Sequence, residues 1–279
     1  MDDMSALIMV VSAAAIIFFV KFGLLHGIDH IANAMSWSAK SRGQVTGYAT
    51  SVPEFVCLIS AGLAGVWEAG LWNIASSNII NSGLMLGAVL FHRQFRELFN
   101  FRFFDEIGFA ALAVLVPLVL MKSGMDTQWY LVPILLGFFV IYRIVDRKIN
   151  KTPPSPNNEQ VPEQESTGNL PFGIILGVTA LIAIAIAGIF LGNSTARVVN
   201  QMEVRPEIAG WILGVVTSIP ELVSFFAIYA ASKRAGMSQS LNDTQEALDN
   251  LTGSNMANVG IVYPIGLAVY LLSSYTFGG

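Results

Sequence analysis

The phrase GYATSVPEF at residues 47–55 returns as GVVTSIPEL at 214–222, 167 positions further along the chain. Each copy sets a glutamate, Glu54 or Glu221, directly after a proline and inside a long apolar run. Six of the eleven positions 47–57 are identical in 214–224. A second pair follows the first: NIASSNIIN at 73–81 and NLTGSNMAN at 250–258 share Asn, Ser, Asn and Asn at matching offsets. A chain that carries such copies has to build one local structure twice, so its two halves are expected to be related by symmetry.

The surroundings of the phrases fix the solvent. Hydrophobic residues make up 54% of the 279 positions and charged residues only 12%, where a soluble domain carries about 25% charged residues. Runs long enough to cross hydrocarbon, about 20 residues each, lie at 5–34, 44–66, 70–91, 106–121, 129–146, 171–197, 207–231 and 248–275. They are continuous and lack the alternation of a membrane barrel, so they are expected as helices. The expected fold is an all-α polytopic membrane protein of about eight transmembrane helices. The first run follows MDDMSALIMVV and is too long for a signal-peptide core, which makes it the first span.

The organisation follows from these runs. A first membrane half, 1–149, holds repeat 1 at 44–91; a second, 171–279, holds repeat 2 at 207–275. Between them residues 150–170, rich in Pro, Asn, Gln and Glu, cannot bury a core and read as a flexible linker. Five spans precede the linker, so the second half enters the membrane with the opposite polarity and the repeats are inverted. Eleven Lys and Arg residues fall on the linker's side and three on the other. The positive-inside rule then sets the linker in the cytoplasm and the N-terminus outside, in a plasma or inner membrane. No basic or aromatic-basic tract invites nucleic acid, and the lone Cys57 excludes an internal disulfide.

A carboxylate at bilayer depth costs roughly 2.5–3.5 kcal/mol even on lenient scales. Two of them at equivalent positions point to a cation site at the repeat interface. On one continuous helix Thr50 and Ser51 would share the face of Glu54, and Thr217 and Ser218 that of Glu221. Asn73, Ser77 and Asn81 recur every four residues as a polar stripe, and so do Asn250, Ser254 and Asn258. Pro53 and Pro220 are expected to free the carbonyls of Ala49 and Val216. All these donors are hard oxygens, which suit Ca²⁺ and Na⁺ and poorly serve metals that seek thiolate or imidazole. No catalytic group and no organic cofactor is expected.

Two rival readings stand beside this one. His26 and His30 in HGIDH have the i, i+4 spacing of metal-ligating histidines, which an intramembrane metalloenzyme would use. A cation channel or a non-transporting Ca²⁺ sensor would line the same site with the same oxygens. Asp243, Glu246 and Asp249, in the polar stretch 233–249, are expected as a solvated face of a loop.

At the repeated phrases the chain resembles the sodium/calcium exchanger superfamily, whose two alpha repeats carry a G-T-S-x-P-E phrase and then a G-S-N type phrase. Here these stand as Ala49-Thr50-Ser51-Val52-Pro53-Glu54 with Ser76-Ser77-Asn78, and Val216-Thr217-Ser218-Ile219-Pro220-Glu221 with Gly253-Ser254-Asn255. The resemblance implies a Ca²⁺ antiporter working by alternating access, with Na⁺ as the usual counter-ion and the first and sixth spans as sliding gates. Carried over by position, Glu54, Thr50, Ser51, Ser77 and Asn81 form one half of the site. Glu221, Thr217, Ser218, Ser254 and Asn258 form the other. Three departures qualify the match. Ser76 replaces a glycine. Asn258 stands where many sodium/calcium exchangers carry aspartate, which leaves Li⁺, H⁺ or a reduced stoichiometry open. Members commonly have ten helices where eight are read here, which leaves a homo-oligomer open.

Overall fold

The computed structural model describes residues 2–149, 168–201, 203–234 and 241–277, and every regular element among them is helical. The linker lies outside the described residues except for 168–170. Eight rods can be traced. The first is α1 (Asp2–Phe19), a π-helical turn (Val20–Leu24) and α2 (Leu25–Ala34). The second is α3 (Ala39–Thr50) followed by α4 (Val52–Leu63), and the third is α5 (Trp67–Phe91). After the short α6 (Phe95–Leu98) come α7 (Phe104–Lys122) and α8 (Leu131–Ile149) as fourth and fifth. The sixth is α9 (Leu170–Gln201), and the seventh is α10 (Pro206–Thr217) with α11 (Ile219–Arg234). The eighth is α12 (Leu241–Ala257), a π turn (Asn258–Val262) and α13 (Tyr263–Phe277).

Six of these rods are long and apolar enough to cross a membrane: Leu7–Ala34, Trp67–Phe91, Phe101–Lys122, Leu170–Asn200, Pro206–Ala230 and Leu241–Tyr275. The second rod is interrupted and opens on the polar stretch Lys40-Ser41-Arg42, and the fifth ends on Arg143, Asp146, Arg147 and Lys148. Large apolar side chains such as Phe18, Phe22, Val119, Ile141, Ile175 and Ile182 face outward, as expected where lipid is the solvent. The polar side chains Thr50, Glu54, Asn73, Ser77, Asn81, Glu221 and Ser254 are fully buried. This chain is therefore apolar on the outside and polar at its centre.

Glycines let the rods approach closely. In the first and sixth rods a Cβ at Gly27 would come 2.8 Å from Gly173 O, and one at Gly23 would come 2.6 Å from the Ala180 Cβ. Small residues at such a seam substitute for a hydrophobic driving force that lipid does not supply. The symmetry of the repeats is visible in the same terms. A Cβ at Gly43 would strike Glu246 O at 2.4 Å, and one at Gly47 would strike Asn250 O at 2.3 Å. In the second repeat a Cβ at Gly210 would strike Ala69 O at 2.7 Å, and one at Gly214 the Ser76 Oγ at 2.0 Å. Gly43 and Gly47 answer to Gly210 and Gly214 at the same offset of 167 residues that relates the phrases. The half-helix α3 of repeat 1 thus lies on α12 of repeat 2, and α10 of repeat 2 lies on α5 of repeat 1.

Two expectations need correction here. The prolines do not kink a continuous helix: each copy breaks two residues ahead of its proline, at Ser51 and Ser218, and Pro53 and Pro220 enter the first turn of the next helix. At that position the missing N–H is no loss. The Ser51 N–H turns back onto Ala49 O, and the Ser218 N–H reaches Gly214 O and Val216 O, so those carbonyls are engaged at the break. The eighth rod also starts seven residues earlier than read, and 241–249 is helix. Asp243 and Asp249 within it are 8% and 0% exposed rather than solvated.

Candidate cation site

Glu54 and Glu221 are the third residues of their helices after the broken turn, in the first turns of α4 and α11. Carboxylates there meet the positive end of the helix dipole. Both are 0% exposed. Each lies within electrostatic reach of the other, and each comes up against the threonine of the opposite repeat, Thr217 beside Glu54 and Thr50 beside Glu221. The expected pairing of hydroxyl with glutamate is therefore crossed. In each repeat the break at Ser51 or Ser218 lies between the threonine and the glutamate of that repeat.

The hydroxyls and amides interlock across the repeats. Ser254 Oγ donates to Glu221 Oε1 at 2.9 Å and lies 3.1 Å from Ser51 Oγ, which is also 3.1 Å from Gly47 O. Thr217 Oγ1 donates to Asn73 Oδ1 at 3.2 Å. Asn258 Nδ2 donates to Asn78 Oδ1 at 2.9 Å and to Ser77 Oγ at 3.4 Å, while Asn81 Nδ2 donates to Asn255 Oδ1 at 3.4 Å. Asn250 Nδ2 donates to Ser224 Oγ at 2.6 Å. All ten residues singled out in the sequence are buried, and ladders from both halves bring them into one polar core. Asn73, Asn78, Asn250 and Asn255 share it. Sequence reading placed Asn73 and Asn250 on the polar stripes without assigning them to the site, and passed over Asn78 and Asn255 as ligands. Their matching offsets in the two phrases were the available signal.

Among the described residues, a group of buried oxygens in this core has no hydrogen-bond donor: both oxygens of Glu54, Glu221 Oε2, Ser218 Oγ, and the Oδ1 atoms of Asn81, Asn250 and Asn258. A buried ionised carboxylate without compensation costs many kcal/mol, so such groups neutralise or meet a cation. In Asn81, Asn250 and Asn258 the amide nitrogen is tied off while the oxygen is not. No Lys, Arg or His forms an ion pair with Glu54 or Glu221 among the described residues. Chemically the core is a set of oxygen donors that includes two carboxyl groups.

A second polar cluster sits where α3 begins. Lys40 Nζ hydrogen-bonds Asp146 and lies 3.7 Å from Glu106 and 3.9 Å from Asp249. Gln44 Nε2 donates to Asp146 Oδ2 at 3.0 Å while its Oε1 accepts from Arg143 at 2.7 Å. Gln245 Nε2 donates to Asp249 Oδ2 at 2.7 Å and to Glu106 Oε1 at 3.2 Å. The carboxylates of Asp105, Glu106 and Asp146 converge within 4.8 Å, with the Lys40 ammonium against the last two. The histidine pair is different. His26 is exposed and packs edge-on against His30, which packs likewise on Phe172; no third metal-ligating side chain joins them among the described residues.

The sodium/calcium exchanger protein family matches residues 5–145 and 172–276, which include both alpha repeats. The chain belongs to the sodium/calcium exchanger family. Members are membrane transporters and not enzymes. Solved structures of the sodium-calcium exchanger NCX_Mj share the fold. One soaked with 2.5 mM Na⁺ and 1 mM Sr²⁺ superposes with a TM-score of 0.55 at 19% identity, covering 97% of this chain and 88% of that one. Another, soaked with 10 mM Na⁺ and zero Ca²⁺, gives 0.55 at 20% identity over 99% and 90%. No curated protein matches the sequence.

Proposed function

We propose that this protein is a secondary active antiporter that exchanges Ca²⁺ for a monovalent cation, Na⁺ or else Li⁺ or H⁺, by alternating access around Glu54 and Glu221. One observation carries this reading: two fully buried carboxyl groups, one from each repeat, lie within electrostatic reach of one another with no basic partner among the described residues. Ca²⁺ takes six to eight oxygens. The carboxylates, Thr50, Ser51, Ser77, Asn81, Thr217, Ser218, Ser254 and Asn258 supply them, with flanking positions left for the smaller charge. Charge balance turns binding into exchange. A bare pair of buried carboxylates is costly to carry through a closed state, whereas a loaded or protonated pair is not, so only loaded forms switch sides. The close seam of the first and sixth rods, at Gly23, Gly27 and Gly173, suits a sliding gate. In the orientation set by the Lys and Arg distribution, the N-terminus is outside and the 150–170 linker cytoplasmic.

Uptake of radiolabelled Ca²⁺ into proteoliposomes under imposed Na⁺, Li⁺ or pH gradients tests this. An antiporter takes up Ca²⁺ only with an opposed gradient of its counter-ion, and Glu54→Gln or Glu221→Gln abolishes the flux. Uptake that ignores every counter-ion gradient makes the protein a channel, and undiminished flux in either variant removes the glutamate pair. For the topology, a Ser155→Cys, Cys57→Ala protein should react with an impermeant thiol reagent only from the cytoplasmic face.

A further inference from the structure

The charge of the central cage can be counted. Six acidic side chains are at most 8% exposed among the described residues: Glu54, Glu106, Asp146, Glu221, Asp243 and Asp249. Glu106, Asp146 and Asp249 belong to the cluster at the start of α3, where Lys40 and Arg143 supply positive charge within 4.0 Å. Asp243 contacts Gln94 at the start of α12, seven residues before the first cage asparagine, Asn250. That leaves Glu54 and Glu221 as the only carboxylates of the cage among the described residues. The remaining oxygens come from neutral hydroxyls and amides. Asn81 and Asn258 occupy matching positions in the two repeats, and each ties off its amide nitrogen and leaves its Oδ1 without a donor.

A cage of charge −2 is neutralised by one Ca²⁺ or by two monovalent cations. A third monovalent ion would leave a net positive charge in a water-poor interior, at a cost of several kcal/mol. We infer that exchange is electroneutral, two monovalent cations for each Ca²⁺, and that Asn81 and Asn258 hold it there by offering oxygen without charge. This inference rests on the antiport reading and adds a stoichiometry, with the two residues that fix it.

The test is the null point of Ca²⁺ movement in proteoliposomes, at which the Ca²⁺ gradient just balances the counter-ion gradient, read at several clamped membrane potentials. Electroneutral exchange balances at a Ca²⁺ ratio equal to the square of the counter-ion ratio and does not respond to voltage. Three-for-one exchange balances at the cube, and its null ratio moves about 50-fold per 100 mV, which is about 2.3 kcal/mol for one net charge. Asn258→Asp adds a third carboxylate and should bring in the voltage dependence. Because the new carboxylate would face Asn78 Oδ1 and could unfold the core, Asn81→Asp, whose amide makes only a 3.4 Å bond, provides the same reading. A voltage-sensitive null point in the wild type overturns the stoichiometry and leaves antiport standing. A folded, active Asn81→Asp or Asn258→Asp protein that still ignores voltage overturns the role given to the two asparagines. Failure of every counter-ion to drive Ca²⁺ overturns the antiport reading itself, and the stoichiometry with it.

Discussion

Ser51 and Ser218 are equivalent in the repeats and opposite in their bonding. Ser51 Oγ lies within 3.2 Å of Gly47 O, Ser254 O and Ser254 Oγ, whereas Ser218 Oγ is fully buried with no partner among the described residues. Losing a made bond in a buried network costs about 1 kcal/mol, while deleting an unsatisfied hydroxyl costs nothing and relieves its desolvation. Ser51→Ala should therefore lower the unfolding temperature in detergent, and Ser218→Ala should leave it unchanged or raise it in Ca²⁺-free buffer. The ranking reverses for ligand effects: if Ser218 Oγ serves the ion, Ser218→Ala shrinks the rise in unfolding temperature that added Ca²⁺ produces. Equal behaviour of the two alanine variants in both measurements would remove this distinction. Sequence could not reveal it, because the two serines sit in closely similar phrases, between threonine and an aliphatic residue, and differ in what the opposite repeat sets against them.

The contacts between elements carry the same symmetry with a useful imperfection. A methyl at Gly47 would meet backbone atoms, Asn250 O at 2.3 Å and Ser254 N at 2.7 Å, which retreat only if α3 and α12 part. At Gly214 the nearest obstacle is the Ser76 side chain at 2.0 Å, with Ser77 N at 3.0 Å behind it. Overpacking of this kind costs about 1–3 kcal/mol. Gly47→Ala should fall in the upper part of that range and Gly214→Ala in the lower, read as unfolding temperatures in one detergent. Equal losses would contradict the assignment of the contacts. Both glycines, both glutamates and the stripes were legible in the sequence, because the repeat is local and its period shows directly. The breaks at Ser51 and Ser218 were not. A proline after a polar pair reads equally well as a kink or as the first turn of a new helix, and only the packing of each half-helix on its partner decides.

At the scale of the whole molecule the sequence misled at the acids of 241–249. Their charge and the polar residues around them suggest a loop, yet α12 buries Asp249 against Lys40 and Gln44, about two hundred residues earlier in the chain, and Asp243 against Gln94. Nothing local announces such partners. Removing one member of a buried charge network costs roughly 3–5 kcal/mol. Lys40→Met should destabilise the protein by about that much, and Lys40→Met combined with Asp146→Asn should recover a measurable part, with the coupling read from a double-mutant cycle. Strict additivity of the two changes would show that the cluster does not act as a unit. The account as a whole depends on the two halves of the molecule holding one ion together. Ca²⁺ titration calorimetry on the wild type, Glu54→Gln, Glu221→Gln and the double variant measures this directly. Each single change should weaken binding by at least about thirtyfold, or 2 kcal/mol, and the double change should add little to either. Two independent, additive losses, or near-native affinity in one of the single variants, would contradict it.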